Sequence, residues 1–244
     1  MIAFFAGLVD AIVGGGGLIQ TPAGLILLPH NSVAQVIGSL KIPSFAGTFF
    51  AARTFLQKVK IPFARLLLFT SIAFVASFTG SFFLTKVSNQ YMKPVILIVL
   101  VIIAIYTFTK KDFGQTTKNE QLDFPWYKGA LICLALGFYD GFIGPGAGSL
   151  LVLAFISFLG FDFLQANAHA KVVNLATNLG SIVLFTMKGA ILWPIAIPMA
   201  ISNSIGGMVG SKLAMAKGNG FIRTVFLIVI LGTLCRLGYD VFLR

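Results

Sequence analysis

The stretch AGLVDAIVGGGG at residues 6–17 decides the fold, because it returns as LGFYDGFIGPGA at residues 136–147. A single repeat offset, the step from Asp10 to Asp140, aligns the two copies and holds without a gap through most of the chain. At that offset the same residue recurs in pairs that include Gly16/Gly146, Gln35/Gln165, Lys41/Lys171, Lys58/Lys188 and Gly80/Gly210. The chain is therefore a tandem duplication.

The composition identifies the environment in which the chain folds. Of its 244 residues, 57% are hydrophobic and 10% are charged, and the mean hydropathy is +0.95, which is typical of membrane-spanning chains. The net charge of +11 does not indicate a nucleic acid partner, because the basic residues lie between or at the ends of apolar segments. We expect a multi-pass protein in a lipid bilayer, where paired repeats are typical of secondary transporters.

Each half contains five apolar elements, of which the first two are short. They are predicted at 1–13, 17–28, 33–56, 61–85 and 90–109, and again at 129–143, 147–160, 163–186, 190–216 and 220–243. A membrane span needs about 20 residues, so the short elements are predicted to be half-helices that meet inside the membrane. Ser32 and Asp162 precede the third element of each half as N-cap residues.

The basic residues predict how the halves are oriented. The window 53–65 contains Arg53, Lys58, Lys60 and Arg65, whereas the equivalent window 183–195 contains only Lys188. By the positive-inside rule the first loop is cytoplasmic and the second is not, so the halves are expected to be inverted copies. The polar segment 110–128 would then be a cytoplasmic linker between a first membrane repeat at 1–109 and a second at 129–244.

The glycine-rich tips of the two short pairs are candidates for anion binding. They contain Gly14, Gly15, Gly16 and Gly17 in one half and Gly144, Gly146 and Gly148 in the other. A half-helix that starts at such a tip directs free N–H groups and its positive dipole end toward a ligand. Close packing of helices through small residues is the alternative explanation.

A polar stripe on the third helix of each half is the second candidate site. Lys171, Asn174 and Asn178 fall at i, i+3 and i+7, on one helical face. Their equivalents at the repeat offset are Lys41, Ser44 and Thr48. A charge at mid-bilayer costs about 2.5 to 3.5 kcal/mol on insertion scales, so buried lysines indicate function. The alternatives are lysines that snorkel to the interface and polar groups that only join helices. We expect Lys171 to matter more than Lys41, because two asparagines accompany it.

Three further residues have chemistry that transport could use. Asp10 and Asp140 stand one helical turn before the tips, where they could carry coupling protons or bond to free backbone groups in the broken hairpins. His169 lies two residues before Lys171 and has no histidine partner at position 39. It is either a proton-sensitive substrate contact or a hydrogen-bonded histidine at a helix interface.

Enzymatic chemistry has little support in the sequence. The chain has only seven acidic residues and two histidines, and it contains no H-E-x-x-H, no G-x-S-x-G and no Cys/His metal spacing. We therefore expect no enzyme activity, no cofactor and no metal.

Three segments resemble the TauE/SafE family of membrane permeases, also called the sulfite exporter family. They are AGLVDAIVGGGGLIQTPA at 6–23, LGFYDGFIGPGAGSLLVLAF at 136–155 and ANAHAKVVNLATNLGSIVLF at 166–185. The resemblance spans nearly the whole chain. It implies a carrier in the bacterial inner membrane, with two related halves, that exports or exchanges anions such as sulfite or organosulfonates.

These features predict an all-α polytopic membrane protein with two inverted repeats, each with a glycine-broken half-helix pair followed by three transmembrane helices. Its expected function is secondary transport, as an exporter, of small anions, with sulfite or organosulfonates as substrates, by alternating access between the repeats. A gated anion channel and an uptake permease for another sulfur-containing solute are the alternatives, and saturable, counter-substrate-driven flux would distinguish a carrier from a channel. A non-transporting assembly factor gives no reason for a polar stripe in both halves. A homodimer is one assembly that the sequence allows.

Overall fold

The computed structural model describes residues 1–88, 90, 91, 95, 98 and 125–242, and every regular element in that part of the chain is an α-helix. In chain order the helices are α1 (Ile2–Val13), α2 (Gly16–Leu27), α3 (Val33–Leu56), α4 (Phe63–Leu84), α5 (Trp126–Phe142), α6 (Ala147–Leu159), α7 (Phe163–Met187) and α8 (Trp193–Phe242). The helical backbone of α8 is interrupted at Gly218, between the elements predicted at 190–216 and 220–243. The all-helical prediction is confirmed. The predicted fifth element at 90–109 and nearly all of the linker lie outside the described residues.

The two broken hairpins form as the short apolar elements predict. Helices α1 and α2 have 12 residues each, α6 has 13 and α5 has 17. Gly14 ends α1 with a φ of 78°, and Gly146 precedes α6 with a φ of 76°. Only glycine adopts this left-handed conformation without strain, so the tip glycines determine where the hairpins break.

Side-chain caps fix the start of the third helix in each half. The Ser32 hydroxyl accepts a hydrogen bond from the Gln35 N–H, and the Gln35 side chain bonds back to the Ser32 N–H. At the equivalent point of the second half, Asp162 accepts from the Gln165 N–H at 2.7 Å. Both predicted N-caps are confirmed, and they align α3 and α7, which carry the polar stripes.

Helices from the two halves are packed against each other in repeat-related pairs. Helix α1 packs along α8, and its repeat equivalent α5 packs along α4. Both contacts are close: a Cβ added at Gly206 of α8 would lie 2.1 Å from the Phe4 carbonyl oxygen, and one at Gly141 of α5 would lie 2.0 Å from that of Ser77. Helices α3 and α7 also contact each other between these pairs. The halves thus interlock around the two hairpins.

The outer faces of several helices are apolar. Large side chains such as Phe63, Leu131 and Ile201 are exposed on α4, α5 and α8. In the described part of the chain, α4 and α7 are long and apolar enough, by length and composition, to cross a membrane. Buried lysines and aspartates with exposed leucines and phenylalanines are the distribution expected for a protein surrounded by lipid.

Candidate functional site

The tips of the two hairpins touch each other in the interior. A Cβ added at Gly14 would lie 2.3 Å from the main-chain carbon of Gly148, and a Cβ at Gly148 would lie 2.6 Å from the Gly14 carbonyl oxygen. The Ser149 hydroxyl donates a hydrogen bond to the Val13 carbonyl at 3.1 Å, which joins α6 to the end of α1. The glycines therefore allow the backbones of the two repeats to meet at one place.

Two ion pairs cross between the halves at this place. Lys41 Nζ of the first half lies 2.7 Å from Asp140 Oδ1 of the second, and Lys171 Nζ of the second half lies 3.0 Å from Asp10 Oδ2 of the first. Each ammonium also donates to the main-chain carbonyl of the aspartate that it pairs with. The two pairs are equivalent at the repeat offset. Three of the side chains are buried, and that of Asp10 is 14% exposed.

Neutral donors complete the surroundings of Asp140. Asn174 Nδ2 donates to Asp140 Oδ2 at 3.2 Å, and the Thr177 hydroxyl donates to the same oxygen. Asn178 Nδ2 in turn donates to Asn174 Oδ1 at 3.3 Å. Both carboxylate oxygens of Asp140 thus accept charge-assisted hydrogen bonds, Oδ1 from α3 and Oδ2 from α7.

Asp10 has a different set of partners. Its Oδ2 accepts from the Thr48 hydroxyl at 3.1 Å in addition to Lys171, and its Oδ1 accepts from the Gly16 N–H at 3.3 Å. Asp10 therefore bonds to a backbone N–H in its own hairpin while it pairs with a lysine, so one of its two predicted roles, the bond to a free backbone group, is present in this geometry.

A small cavity lies where the tips and the third helices meet. Its volume is about 40 Å³, which is room for roughly three waters on the measure by which one water needs about 10 to 15 Å³. Of the predicted site residues, the structure brings together at this cavity Gly14, Gly17, Lys41, Ser44, Gly144, Gly146, Gly148, Asn174 and Asn178, together with Asp10 and Asp140.

The other predicted residues do not line the cavity. Gly15 and Gly16 lie at the start of α2, and Thr48 and Lys171 reach the site only through Asp10. His169 lies apart from it: its Nδ1 is 2.8 Å from the Gln165 carbonyl oxygen, and its ring lies against Phe161, with centroids 4.4 Å apart. This is the geometry of a histidine at a helix interface.

Three residues that the sequence did not single out contact the cavity or Asp140. Gln20 and Thr21 of α2 line the cavity, and Thr177 bonds to Asp140. Gln20 is 2% exposed, and neither of its side-chain amide atoms has a hydrogen-bond partner in the described part of the chain. A polar pair inside a short apolar half-helix, one turn after the tip, is the signal that would find Gln20 and Thr21.

The start of each second half-helix leaves backbone donors available to a ligand. Among the described residues, the N–H groups of Gly17 and Gly148 have no hydrogen-bond partner, and both glycines line the cavity. Helix N-termini of this kind bind anions through N–H groups and the helix dipole. In the same part of the chain there is no group of three or more His, Cys, Asp or Glu residues that could hold a metal ion.

A helical chain with apolar outer faces, whose interlocked halves enclose a polar cavity with paired charges, belongs by its architecture to the membrane transport proteins. Comparison with known proteins specifies the family. The profile described as "Sulfite exporter TauE/SafE" matches residues 1–237, and the chain therefore belongs to the TauE/SafE family.

Curated relatives have names that agree with this class. A probable membrane transporter protein of Haemophilus influenzae is 32% identical over 239 residues, which cover 98% of this chain and 92% of the relative. The probable membrane transporter protein YfcA of Escherichia coli K12 is 30% identical over 242 residues, 98% of this chain and 88% of YfcA. A probable membrane transporter protein named ORF9 from Sinorhizobium is 32% identical over 238 residues, 98% of this chain and 90% of ORF9. No solved structure matches the chain significantly.

Proposed function

We propose that the protein is a secondary transporter that exports a small sulfur-containing anion, such as sulfite or a short organosulfonate, across the bacterial inner membrane. One observation carries the proposal: there is a cavity where the two glycine tips touch, and beside it a lysine of each half forms an ion pair with an aspartate of the other half. Family membership and the names of the relatives support membrane transport. The class of substrate is inferred from the cavity and from the family's description.

The charges at the site suggest how an anion is accommodated. Two lysines and two aspartates give a formal charge of zero, and removing one partner of a buried ion pair costs about 3 to 5 kcal/mol. An anion that binds Lys41 takes over the role of the Asp140 carboxylate. If Asp140 takes up a proton at the same time, the site remains neutral. Anion and proton would therefore bind together, with Asp140 as the coupling residue.

The crossing of the ion pairs suggests how access alternates. Each pair bridges the two halves, so opening the site on one side breaks one pair and leaves its repeat-related counterpart in place. In inverted repeats, the inward-open and outward-open arrangements are related by exchanging the roles of the halves. Rocking of the repeats about the glycine contact between Gly14 and Gly148 would carry out this exchange.

The size of the cavity favours a carrier over a gated channel. The tips are in backbone contact, and about 40 Å³ holds one small anion, not a continuous column of water. A carrier gives saturable flux and counterflow, whereas an open pore gives flux that rises linearly with concentration.

The proposal is tested with purified protein in proteoliposomes. Efflux of radiolabelled sulfite, thiosulfate and a short organosulfonate is measured with and without an imposed pH gradient. We expect saturable counterflow with at least one of them. In Asp140→Asn the pH gradient is expected to stop driving net flux while counterflow persists. Absence of counterflow for every anion would reject the proposal, and linear flux would favour the channel. Net inward flux in cells would favour the uptake permease.

The inverted orientation has its own test. Lys58 lies between α3 and α4, and Lys188 lies between α7 and α8, at repeat-related positions. In a cysteine-free background, a single cysteine at position 58 is expected to react with impermeant reagents only from the cytoplasmic side, and one at position 188 only from outside. Reaction of both from the same side would contradict inverted repeats and the cytoplasmic linker.

A further inference from the structure

Gln20 is the polar side chain that most clearly lacks a partner at the site. It lies in α2, one helical turn after Gly16, and it lines the cavity that also contains Lys41. Its side chain is almost completely buried, and both the amide oxygen and the amide nitrogen are without hydrogen bonds in the described part of the chain.

The repeat shows that this amide is not required by the fold. At the repeat offset, Gln20 and Thr21 correspond to Leu150 and Leu151. Leu150 occupies the same place in α6, so an apolar side chain is compatible with a second half-helix at this point. A buried amide that bonds to no protein group must form its hydrogen bonds with the contents of the cavity. Its presence in one half only is explained if a ligand supplies the missing hydrogen bonds.

The chemistry of the unpaired groups specifies that ligand. The amide nitrogen needs an acceptor and the amide oxygen needs a donor, while the N–H groups of Gly17 and Gly148 need further acceptors. The four ionised side chains around the cavity, Lys41, Lys171, Asp10 and Asp140, already balance in charge. When Asp140 takes up a proton, as proposed above for anion binding, one negative charge on the ligand restores the balance and a second would have no counter-ion.

We propose that Gln20 is the specificity-determining contact of the cavity and that it selects a small, singly protonated oxyanion, one that offers acceptor oxygens and one hydrogen-bond donor. The inference rests on the proposed anion transport at the same site. Hydrogensulfite has this chemistry. Methanesulfonate and nitrate have the same charge and no donor, so they leave the amide oxygen unpaired. A site built around a hydrogen bond discriminates strongly against analogues that lack the group.

The test is binding of three monovalent anions to purified, full-length protein in nanodiscs, by calorimetry at a mildly acidic pH where sulfite is present as hydrogensulfite. The variant is Gln20→Leu, which introduces the residue found at the equivalent position 150. We expect its affinity for hydrogensulfite to fall about 10- to 100-fold, as for loss of a hydrogen bond to a charged ligand. Affinities for methanesulfonate and nitrate are expected to change less than about threefold.

Stability provides a second readout. Because the substitution removes an unpartnered buried amide, the ligand-free Gln20→Leu variant is expected to melt at the same or a higher temperature than the wild type. The matched control is Gln57→Leu, the same exchange at an exposed position after α3, which is expected to leave all three affinities unchanged. If Gln20→Leu does not fold, Gln20→Met preserves length and shape more closely and gives the same comparison.

The outcomes separate the inference from the proposed function. If the wild type binds hydrogensulfite and the Gln20 variants bind it with the same affinity, the proposed role of Gln20 is overturned and anion transport is left intact. Preferential binding of methanesulfonate or nitrate by the wild type would overturn the protonated oxyanion as ligand. Failure of the wild type to bind any anion, while counterflow is also absent, would reject the transport function and this inference with it.

Discussion

The two buried ion pairs are equivalent by the repeat, yet their surroundings differ. Lys41 and Asp140 both line the cavity, with side chains 6% and 4% exposed, and Asp140 receives neutral donors from α7. In the other pair Lys171 is 1% exposed and does not line the cavity, while Asp10 binds the backbone N–H of Gly16. The same two residue types therefore form a pair that lines the cavity in one place. In the other they form a hairpin clamp, in which Asp10 alone reaches the cavity and also bonds to the backbone of its own hairpin.

This difference makes the two halves contribute unequally to the cavity. Two identical pairs would make the cavity symmetric, with no preferred orientation for an asymmetric ligand. With Lys41 facing the cavity and Lys171 holding the first hairpin, positive charge is presented from the first half and amide groups from Asn174 and Asn178 of the second. The divergence of the stripes thus gives the cavity different polar groups from each half.

The largest expected effect is on the clamp. Lys171→Met leaves the Asp10 carboxylate without its counter-charge, which is expected to lower the free energy of unfolding by about 3 to 5 kcal/mol. Thermal or denaturant unfolding in detergent measures it. The double variant Asp10→Asn with Lys171→Met removes both charges and is expected to recover most of that loss. A single variant as stable as the wild type would show that Lys171 reaches the membrane interface and is not paired.

The next effect separates the two lysines by affinity. Lys41→Met removes the cation that faces the cavity, so the folded fraction is expected to bind anion about 10- to 100-fold more weakly, as for a hydrogen bond between charged groups. The folded fraction of Lys171→Met is expected to keep most of its affinity. Calorimetry on both variants after removal of unfolded protein gives the comparison. Equal losses would mean that the two pairs are functionally equivalent.

The helices and their breaks were predictable because local sequence determines them. The predicted element at 33–56 matches α3, since Ser32 provides its cap and Pro62 and the basic loop follow its end. Helix α5 begins at Trp126, three residues before the predicted start, directly after Pro125. Hydropathy alone leaves Trp126 and Tyr127 outside the apolar segment, but aromatic residues are common at the membrane interface. The glycine-rich tips that contain Gly14 and Gly146 predicted the breaks, because glycine readily adopts the left-handed conformation needed there.

The pairing of charges across the halves was not predictable in the same way. The repeat shows that Lys41 and Lys171 are equivalent, but it does not say whether each pairs within its half or across it. That choice depends on which backbones come into contact at the tips. For the same reason the expectation that Lys171 is the principal binding lysine differs from the geometry, which places Lys41 at the cavity. Comparison of the two repeats does not identify Gln20, because the equivalent residue is Leu150.

A smaller effect compares the neutral donors to each aspartate. Asn174→Ala removes a bond to Asp140 at the cavity and is expected to weaken anion binding by about 1 to 3 kcal/mol. Thr48→Val removes a bond to Asp10 and is expected to lower stability by a similar amount while affinity stays near the wild-type value. Affinity and melting temperature are measured on both proteins. A loss of affinity in Thr48→Val as large as in Asn174→Ala would show that Asp10, which also lines the cavity, takes part in anion binding.

The smallest expected effect concerns Ser44, the repeat equivalent of Asn174. Ser44 lines the cavity at a partly buried position, so Ser44→Ala is expected to change the free energy of unfolding by less than about 0.5 kcal/mol. If the hydroxyl bonds to the anion, the free energy of anion binding weakens by about 0.5 to 1.5 kcal/mol, as for a neutral hydrogen bond.

The variant Ser44→Asn sharpens the comparison, because it introduces in the first half the residue that the second half has at the equivalent position. We expect an amide there to bond to Asp10 as Asn174 bonds to Asp140, which would make the two pairs more alike and reduce the preference for one ligand orientation. Unchanged affinity in both Ser44 variants, together with a loss in Asn174→Ala, would show that the second half alone supplies the neutral contacts to the anion from the third helices.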